Sequence, residues 1–268
     1  MKKFIFAAIL FHAAVINAAV PGSAVTLSPG ATEAVIAAGG IKQLRGRSSA
    51  CLMPEVKHLP VAGSFGVPNV EKILHTRTAM VITDTLAPGG AWRLLRRAGI
   101  ETVVLENRRI ADYPANLRRL GKKLCCVEPA EKAARLYEAE IAALERSKPQ
   151  RQLRVLVLFS ASPPVTCGRE SFIHEALEYA GGVNAGADRD TGYFAISPEK
   201  ILRHAPEVII CAGVPENAVQ QYFAKPVFRL LPAVRKKRFF SVDPDRFCRN
   251  NFHLPAEIKR LKSYLSSL

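Results

Sequence analysis

Short apolar runs alternate with segments of helical period along most of the chain. Residues 24–27 read as a short strand, and Ser28-Pro-Gly-Ala-Thr32 turns into a helix closed by Gly39-Gly40. A loop rich in proline and glycine (Pro54, Pro60, Gly63, Gly66, Pro68) leads to a short helix near Val70 and a strand over 79–83. Gly89-Gly90 open a helix to Ala98; a strand at 102–105 and a helix from Tyr113 to Leu124 follow. The pattern then restarts: a strand over 153–159, a Ser/Pro-rich loop to Gly168, a helix capped near Ser171 and ending at Gly181-Gly182, and another helix from Ser197-Pro-Glu. Strands over 207–211 and 238–242 and an amphipathic helix over 254–265 complete it. Strands alternating with helices imply an α/β fold with parallel sheets covered on both faces.

Between the two runs, residues 128–148 read as one helix. Ala, Glu, Leu, Lys and Arg dominate it, Pro129 suits its first turn, and Glu131 precedes Arg135 by four residues. Ala133, Leu136, Tyr137, Ile141 and Leu144 share a face at helical spacing. At 1.5 Å per residue the rod is about 27 Å long, near the diameter of a small domain.

The halves on either side echo each other. Glu33-Ala-Val-Ile-Ala-Ala-Gly-Gly-Ile41 matches Glu175-Ala-Leu-Glu-Tyr-Ala-Gly-Gly-Val183, and Glu71-Lys-Ile-Leu74 recurs as Glu199-Lys-Ile-Leu202. An aromatic residue precedes each of the later glutamates at the same interval: Phe65 before Glu71, Tyr193 before Glu199. Repeated order in matching context predicts two Rossmann-like lobes with parallel sheets, joined by a single long α-helix, with a ligand cleft between the lobes. The expected division is 1–19 signal peptide, 20–127 N-terminal lobe, 128–149 linking helix and 150–268 C-terminal lobe.

The start of the chain sets its destination. Met1-Lys-Lys, an apolar run from Phe4 to Ile16, and small residues at Asn17-Ala-Ala19 form a secretory signal, with cleavage expected near Ala18 or Ala19 and a periplasmic product. The run is too short for a comfortable membrane span, and no second one reaches that length. The formal charge is +15, two of it on Lys2 and Lys3. The rest is spread over separate helices and turns without a nucleic-acid motif, so it reads as a solvated basic surface, with attraction of an anionic ligand as the minor alternative. Six cysteines in an exported chain permit disulfides. Cys51, Cys167 and Cys248 are expected in loops and Cys211 at the end of a buried strand. There is no C-x-x-C spacing, and the scattered histidines lack metal-ligand spacing, so no metal site and no cofactor are expected.

Several stretches together carry a family resemblance: Thr26-Leu-Ser-Pro-Gly-Ala-Thr-Glu33, Leu59-Pro60 with Gly63, Asn69-Val-Glu71, Pro163-Pro-Val-Thr-Cys-Gly-Arg-Glu-Ser171 leading to Ala180-Gly-Gly182, and Ser197-Pro-Glu199. The chain resembles the helical-linker periplasmic substrate-binding proteins of ABC importers, the group serving cobalamin, ferric siderophores and heme. The Pro-Pro-x-Thr-x-Gly-Arg-Glu-Ser loop is most similar to the cobalamin-binding branch. The resemblance implies a monomer that captures a metal-containing chelate and delivers it to an ABC permease. It also implies ligand-facing positions at Met53, Phe65, Asp84, Arg169, Tyr193, Asp245 and Arg249. Glu71 and Glu199 become docking carboxylates, one per lobe. Phe65 and Tyr193 stand where the family has tryptophans, Met53 where it has a tyrosine, and Asp84 where the cobalamin branch has a tryptophan. Fewer bulky aromatics, together with Arg249 and Arg169, keep a ferric siderophore or heme open as the alternative ligand.

Enzymatic readings find no footing in the residues. Gly63-Ser-Phe-Gly66 is not G-x-S-x-G, no carboxylate pair or Ser/His/Asp set can be assembled, and the paired glycines offer neither G-x-G-x-x-G nor a P-loop lysine. An exported hydrolase is the rival from another class.

Overall fold

The computed structural model describes residues 19–86 and 89–268. The expected signal segment lies outside them up to residue 18. The chain divides into two compact units. The first holds residues up to Glu106 together with Asn116–Ala133; the second holds Asn107–Ala115 and Ala134–Leu268. The boundary therefore falls inside the long helix rather than at its ends, and a nine-residue piece of the first half of the sequence belongs to the second unit.

The first unit runs β1 (Val20–Thr26), α1 (Pro29–Ala37), β2 (Leu44–Ser48), β3 (Val61–Ser64), β4 (Val67–Pro68), α2 (Val70–His75), β5 (Thr78–Thr83), α3 (Ala91–Arg97) and β6 (Glu101–Val104), then shares α4 (Asp112–Lys123) and α5 (Val127–Arg146) with the second. Its sheet has the order β4-β3-β2-β1-β5-β6, parallel except for the β3–β4 hairpin. Strand β5 is buried almost throughout, as a central parallel strand must be. Val25, Leu27, Ile73, Val81, Trp92 and Leu95 form one core cluster against it.

The second unit contains β7 (Leu153–Leu158), β8 (Ser160–Ala161), β9 (Pro164–Cys167), α6 (Phe172–Ala180), β10 (Gly182–Asn184), β11 (Tyr193–Ala195), α7 (Pro198–His204), β12 (Val208–Ala212), α8 (Glu216–Phe223), α9 (Pro232–Arg235), β13 (Phe239–Val242), α10 (Pro244–Phe247) and α11 (Leu254–Ser266). Its parallel sheet has the order β10-β7-β12-β13. This reproduces β2-β1-β5-β6 of the first unit strand for strand. The sequence repeat occupies equivalent places. Helices α1 and α6 each end at a left-handed glycine, Gly39 at φ 82° and Gly181 at φ 85°, a conformation in which a Cβ is penalised. Serine side chains start both helices: Ser28 Oγ accepts from Ala31 N at 3.2 Å and Ser171 Oγ from Ile173 N at 3.3 Å.

Three expectations change. The proline- and glycine-rich loop contains strands β2, β3 and β4, and the Ser/Pro-rich loop is the β8–β9 hairpin, which places Cys167 on a strand. On α5 the buried stripe is Ala130, Ala134, Tyr137 and Leu144; Leu136 is half exposed, one position off that stripe. All six cysteines are free thiols.

The piece 107–115 is bound into the second unit by polar contacts. Asn250 Nδ2 donates to Arg109 O at 2.8 Å, and Tyr137 Oη donates to Asn250 Oδ1 at 2.8 Å. Glu175 takes Arg109 Nε at 2.9 Å on one oxygen and Ile110 N at 2.8 Å on the other. Tyr113 packs on Tyr137 with ring centroids 4.9 Å apart.

Candidate functional site

In a parallel α/β sheet the loops beyond the C-terminal strand ends are free to carry ligand-binding residues, because the helices return along the faces. In the first unit these loops hold Met53, Phe65 and Asp84. Phe65 sits in the turn between β3 and β4 and is 55% exposed. The next residue ties the turn down: Gly66 N donates to Leu27 O at 2.8 Å, just past the end of β1. Asp84 follows β5, and its amide donates to Ser28 Oγ at 3.4 Å. Its carboxylate lies so close over the first turn of α1 that a Cβ on Gly30 would stand 2.4 Å from Oδ2. Negative charge there is favoured by the helix N-terminus.

Met53 is half-buried on the loop after β2. Arg47, the penultimate residue of β2 and only 9% exposed, folds over that loop. Its Nη1 donates to Ser48 O and Cys51 O, each at 3.1 Å, and its Nη2 donates to Lys57 O at 3.1 Å. The Cys51 thiol is buried against Thr32 Oγ1 at 3.1 Å and Ser48 Oγ at 3.3 Å.

In the second unit Asp245 and Arg249 follow β13 of the parallel sheet, whereas Arg169 follows β9 and Tyr193 is the first residue of β11 in the separate sheet β11-β9-β8. Tyr193 opens β11, is half exposed, and meets Phe159 edge-on at 5.1 Å. Its hydroxyl end is the enclosed part, with Ser171 Oγ donating at 3.5 Å. Burial, reinforced by the neighbouring thiols Cys167 and Cys248, pushes the phenol up to about 12 against the pull of Ser171. Burial also pushes Cys167 and Cys248 up to about 12, so both are protonated thiols at neutral pH. Arg249 Nη2 pairs with Asp245 Oδ1 at 2.7 Å, and Arg169 Nη1 with Asp190 Oδ1 at 3.2 Å. Asn184, buried at the end of β10, supports the Cys167 strand: its Nδ2 donates to Cys167 O at 3.1 Å while its Oδ1 accepts from Gly186 N at 2.9 Å.

Glu71 and Glu199 occupy the same place in the repeat, the first turn of a short exposed helix. Asn69 Oδ1 caps α2 by accepting from Lys72 N at 3.0 Å; Ser197 Oγ caps α7 by accepting from Lys200 N at 3.4 Å. The Ser197 hydroxyl and its own backbone amide hold the Glu199 carboxyl below its ordinary range. Their settings differ. Glu71 borders a cavity of about 660 Å³ whose walls include Arg45, Lys72 and His75, whereas Lys200 beside Glu199 is bound to Asp188 at 2.7 Å.

Arg47 and Asn184 are the residues that sequence reasoning passes over as site components, and Ser171 is read only as a helix cap and the end of a family loop. The only local signal of Arg47 and Asn184 is polarity near a strand end. Among the described residues, no group of three or more His, Cys, Asp or Glu side chains could hold a metal ion, and no helix is long and apolar enough to cross a membrane.

Comparison with known proteins agrees with this architecture. The family described as periplasmic binding protein matches residues 25–246. The chain is 28% identical over 264 residues to the vitamin B12-binding protein of Pectobacterium carotovorum subsp. carotovorum (strain PC1), covering 93% of this chain and 90% of that one. The structure of the periplasmic vitamin B12-binding protein of Vibrio cholerae superposes with a TM-score of 0.77 at 22% identity, over 91% of this chain and 96% of that one. The apo periplasmic heme-binding protein of Roseiflexus sp. RS-1 superposes with a TM-score of 0.78 at 23% identity, over 91% and 97%. At such identities the two structures establish the fold. The family match spans most of the chain, so this protein belongs to the periplasmic binding protein family, a binding component of an ABC transporter and not an enzyme.

Proposed function

We propose that the ligand is cobalamin or a related corrinoid, captured by residues of the strand-end loops and delivered to the permease of an ABC importer. The observation that carries this reading is similarity to vitamin B12-binding proteins along nearly the full length of both chains. The local chemistry supports it. Phe65 and Tyr193 each expose about half their surface six residues before Glu71 and Glu199, and Met53 adds a flexible apolar side chain. Such surfaces suit the broad apolar faces of a corrinoid. Arg169 and Arg249 both stand against carboxylates, which favours a ligand of low net charge over an anionic chelate. Asp84 in the first unit and the Asp245–Arg249 pair in the second supply polar contacts. Glu71 and Glu199, exposed and matched in the repeat, serve as the docking carboxylates.

The test is to mix purified mature protein separately with cyanocobalamin, heme and a ferric siderophore and to follow visible absorbance after removal of free ligand. Retention of cobalamin is expected. Retention of heme or the ferric chelate alone selects the alternative within the same family.

A further inference from the structure

Arg47 carries a buried positive charge without a counter-ion. Among the described residues no carboxylate pairs with it; the guanidinium is compensated by the carbonyls of Ser48, Cys51 and Lys57 alone. Burying a cation costs desolvation free energy, which the hydrogen bonds to these carbonyls offset. The contacts of Arg47 reach across ten residues of chain whose other anchors are the buried side chains of Cys51 and Val56. Residues 49–60 form no strand. The ends of the loop are held by backbone bonds, Ser49 N to Gly63 O at 2.9 Å and Arg47 N to Pro60 O at 3.0 Å, but between them the backbone makes only local turns, such as Val56 N to Met53 O at 3.1 Å and Lys57 N to Pro54 O at 3.4 Å. Inside those ends, the planar fork of Arg47 adds a tie from Ser48 and Cys51 across the loop to Lys57. Met53 lies between those ties.

We propose that Arg47 is a positioning residue for ligand capture: it holds the 48–57 loop in one conformation and so presents Met53 ready-made to the ligand. The inference rests on the functional reading above. Fixing the loop before binding removes an ordering cost that would otherwise oppose affinity.

A double-mutant cycle with a proteolytic readout tests it. Lys57-His58 is exposed, and trypsin cleavage after Lys57 reports release of the loop. Arg47→Lys, which keeps the charge but loses the fork, is expected to speed that cleavage and to weaken cyanocobalamin binding about tenfold, equivalent to about 1.4 kcal/mol. Met53→Ala should weaken binding in the wild-type background and have little further effect in Arg47→Lys, because a released loop no longer presents Met53. If Arg47→Lys loses its cooperative thermal transition, Arg47→Gln is read the same way. Unchanged cleavage at Lys57, or additive losses of affinity, would overturn the proposal. Wild-type protein that retained none of cobalamin, heme or a ferric siderophore would instead overturn the functional reading, and the cleavage rate alone would then decide whether Arg47 holds the loop.

Discussion

In the four-strand order common to both units, the strand beside the first one carries a buried polar side chain at or next to its end: Arg47, penultimate on β2, and Asn184, last on β10. The two do the same work by different means. Asn184 is a neutral amide with two near partners, and the chain it supports is already a strand, β9, paired on both sides by β8 and β11. Arg47 supports residues 49–60, which have no ladder of their own. Buried backbone groups need partners. Where a hairpin supplies them, a small amide suffices. Where the loop is irregular, a long side chain with several donors substitutes for the missing strand. A second contrast follows Glu71 and Glu199: Lys200 beside Glu199 is paired with Asp188, while among the described residues no ion pair engages Lys72 or Arg45 around Glu71.

The largest effect should come from charge reversal at both docking positions. Glu71→Lys with Glu199→Lys is expected to abolish ligand uptake in cells while leaving the dissociation constant of the purified protein unchanged. Normal uptake by the double variant would remove the docking role, and unequal single variants would show that the different surroundings matter. Next comes stability. Arg47→Met leaves carbonyl acceptors without a donor and should cost on the order of 3 kcal/mol. Asn184→Ala, which loses one donor and one acceptor, should cost about 1–2 kcal/mol in the same urea titration. Equal losses would break the contrast between the two devices.

Smaller changes are expected at the aromatic residues. Phe65→Ala and Tyr193→Ala should each weaken cobalamin binding about tenfold, and Tyr193→Phe by much less, because the ring supplies the contact surface. A further effect is one of pH. The Tyr193 phenol is raised from 10.0 to about 12 in the folded chain. The denatured chain therefore loses this proton first as pH rises, and the folded state binds more protons between the two values. Stability from this group is intact below about pH 10 and is lost on the way to about pH 12. Tyr193→Phe should accordingly flatten the decline of stability over that window relative to wild type, as read by urea unfolding at each pH. An identical decline would place the titration elsewhere.

Much of this architecture is legible in residue order, for reasons that particular elements make plain. Strands β5 and β12 are continuous apolar runs, and α1, α6 and the short capped helices carry their stop and start signals in Gly39, Gly181, Asn69 and Ser197. Strand β2 is different. Leu44-Arg-Gly-Arg-Ser48 has a single large apolar residue, and its inward-facing Arg47 breaks the alternation that marks a strand. Strands β8 and β9 are hidden by serines and prolines whose pairing depends on β11, well downstream. The one-residue error at Leu136 arises because residues 133 to 144 allow two overlapping apolar stripes, and only packing selects the one through Ala134 and Tyr137. The candidate site follows the same division. Phe65, Tyr193 and the two glutamates can be found from the repeat, whereas Arg47 acts through carbonyl groups, which have no sequence signature.

The capture of residues 107–115 by Asn250 and Glu175 bears on how such proteins can be recombined. A chimaera spliced at residue 128, where the repeat invites the cut, would carry this segment away with the first half and strand the Asn250 amide and the Glu175 carboxylate among foreign neighbours. The transferable cassette is therefore not a contiguous half of the gene. An exchange that keeps these contacts carries 107–115 across with the second half, so that the short segment and its distant partners move together.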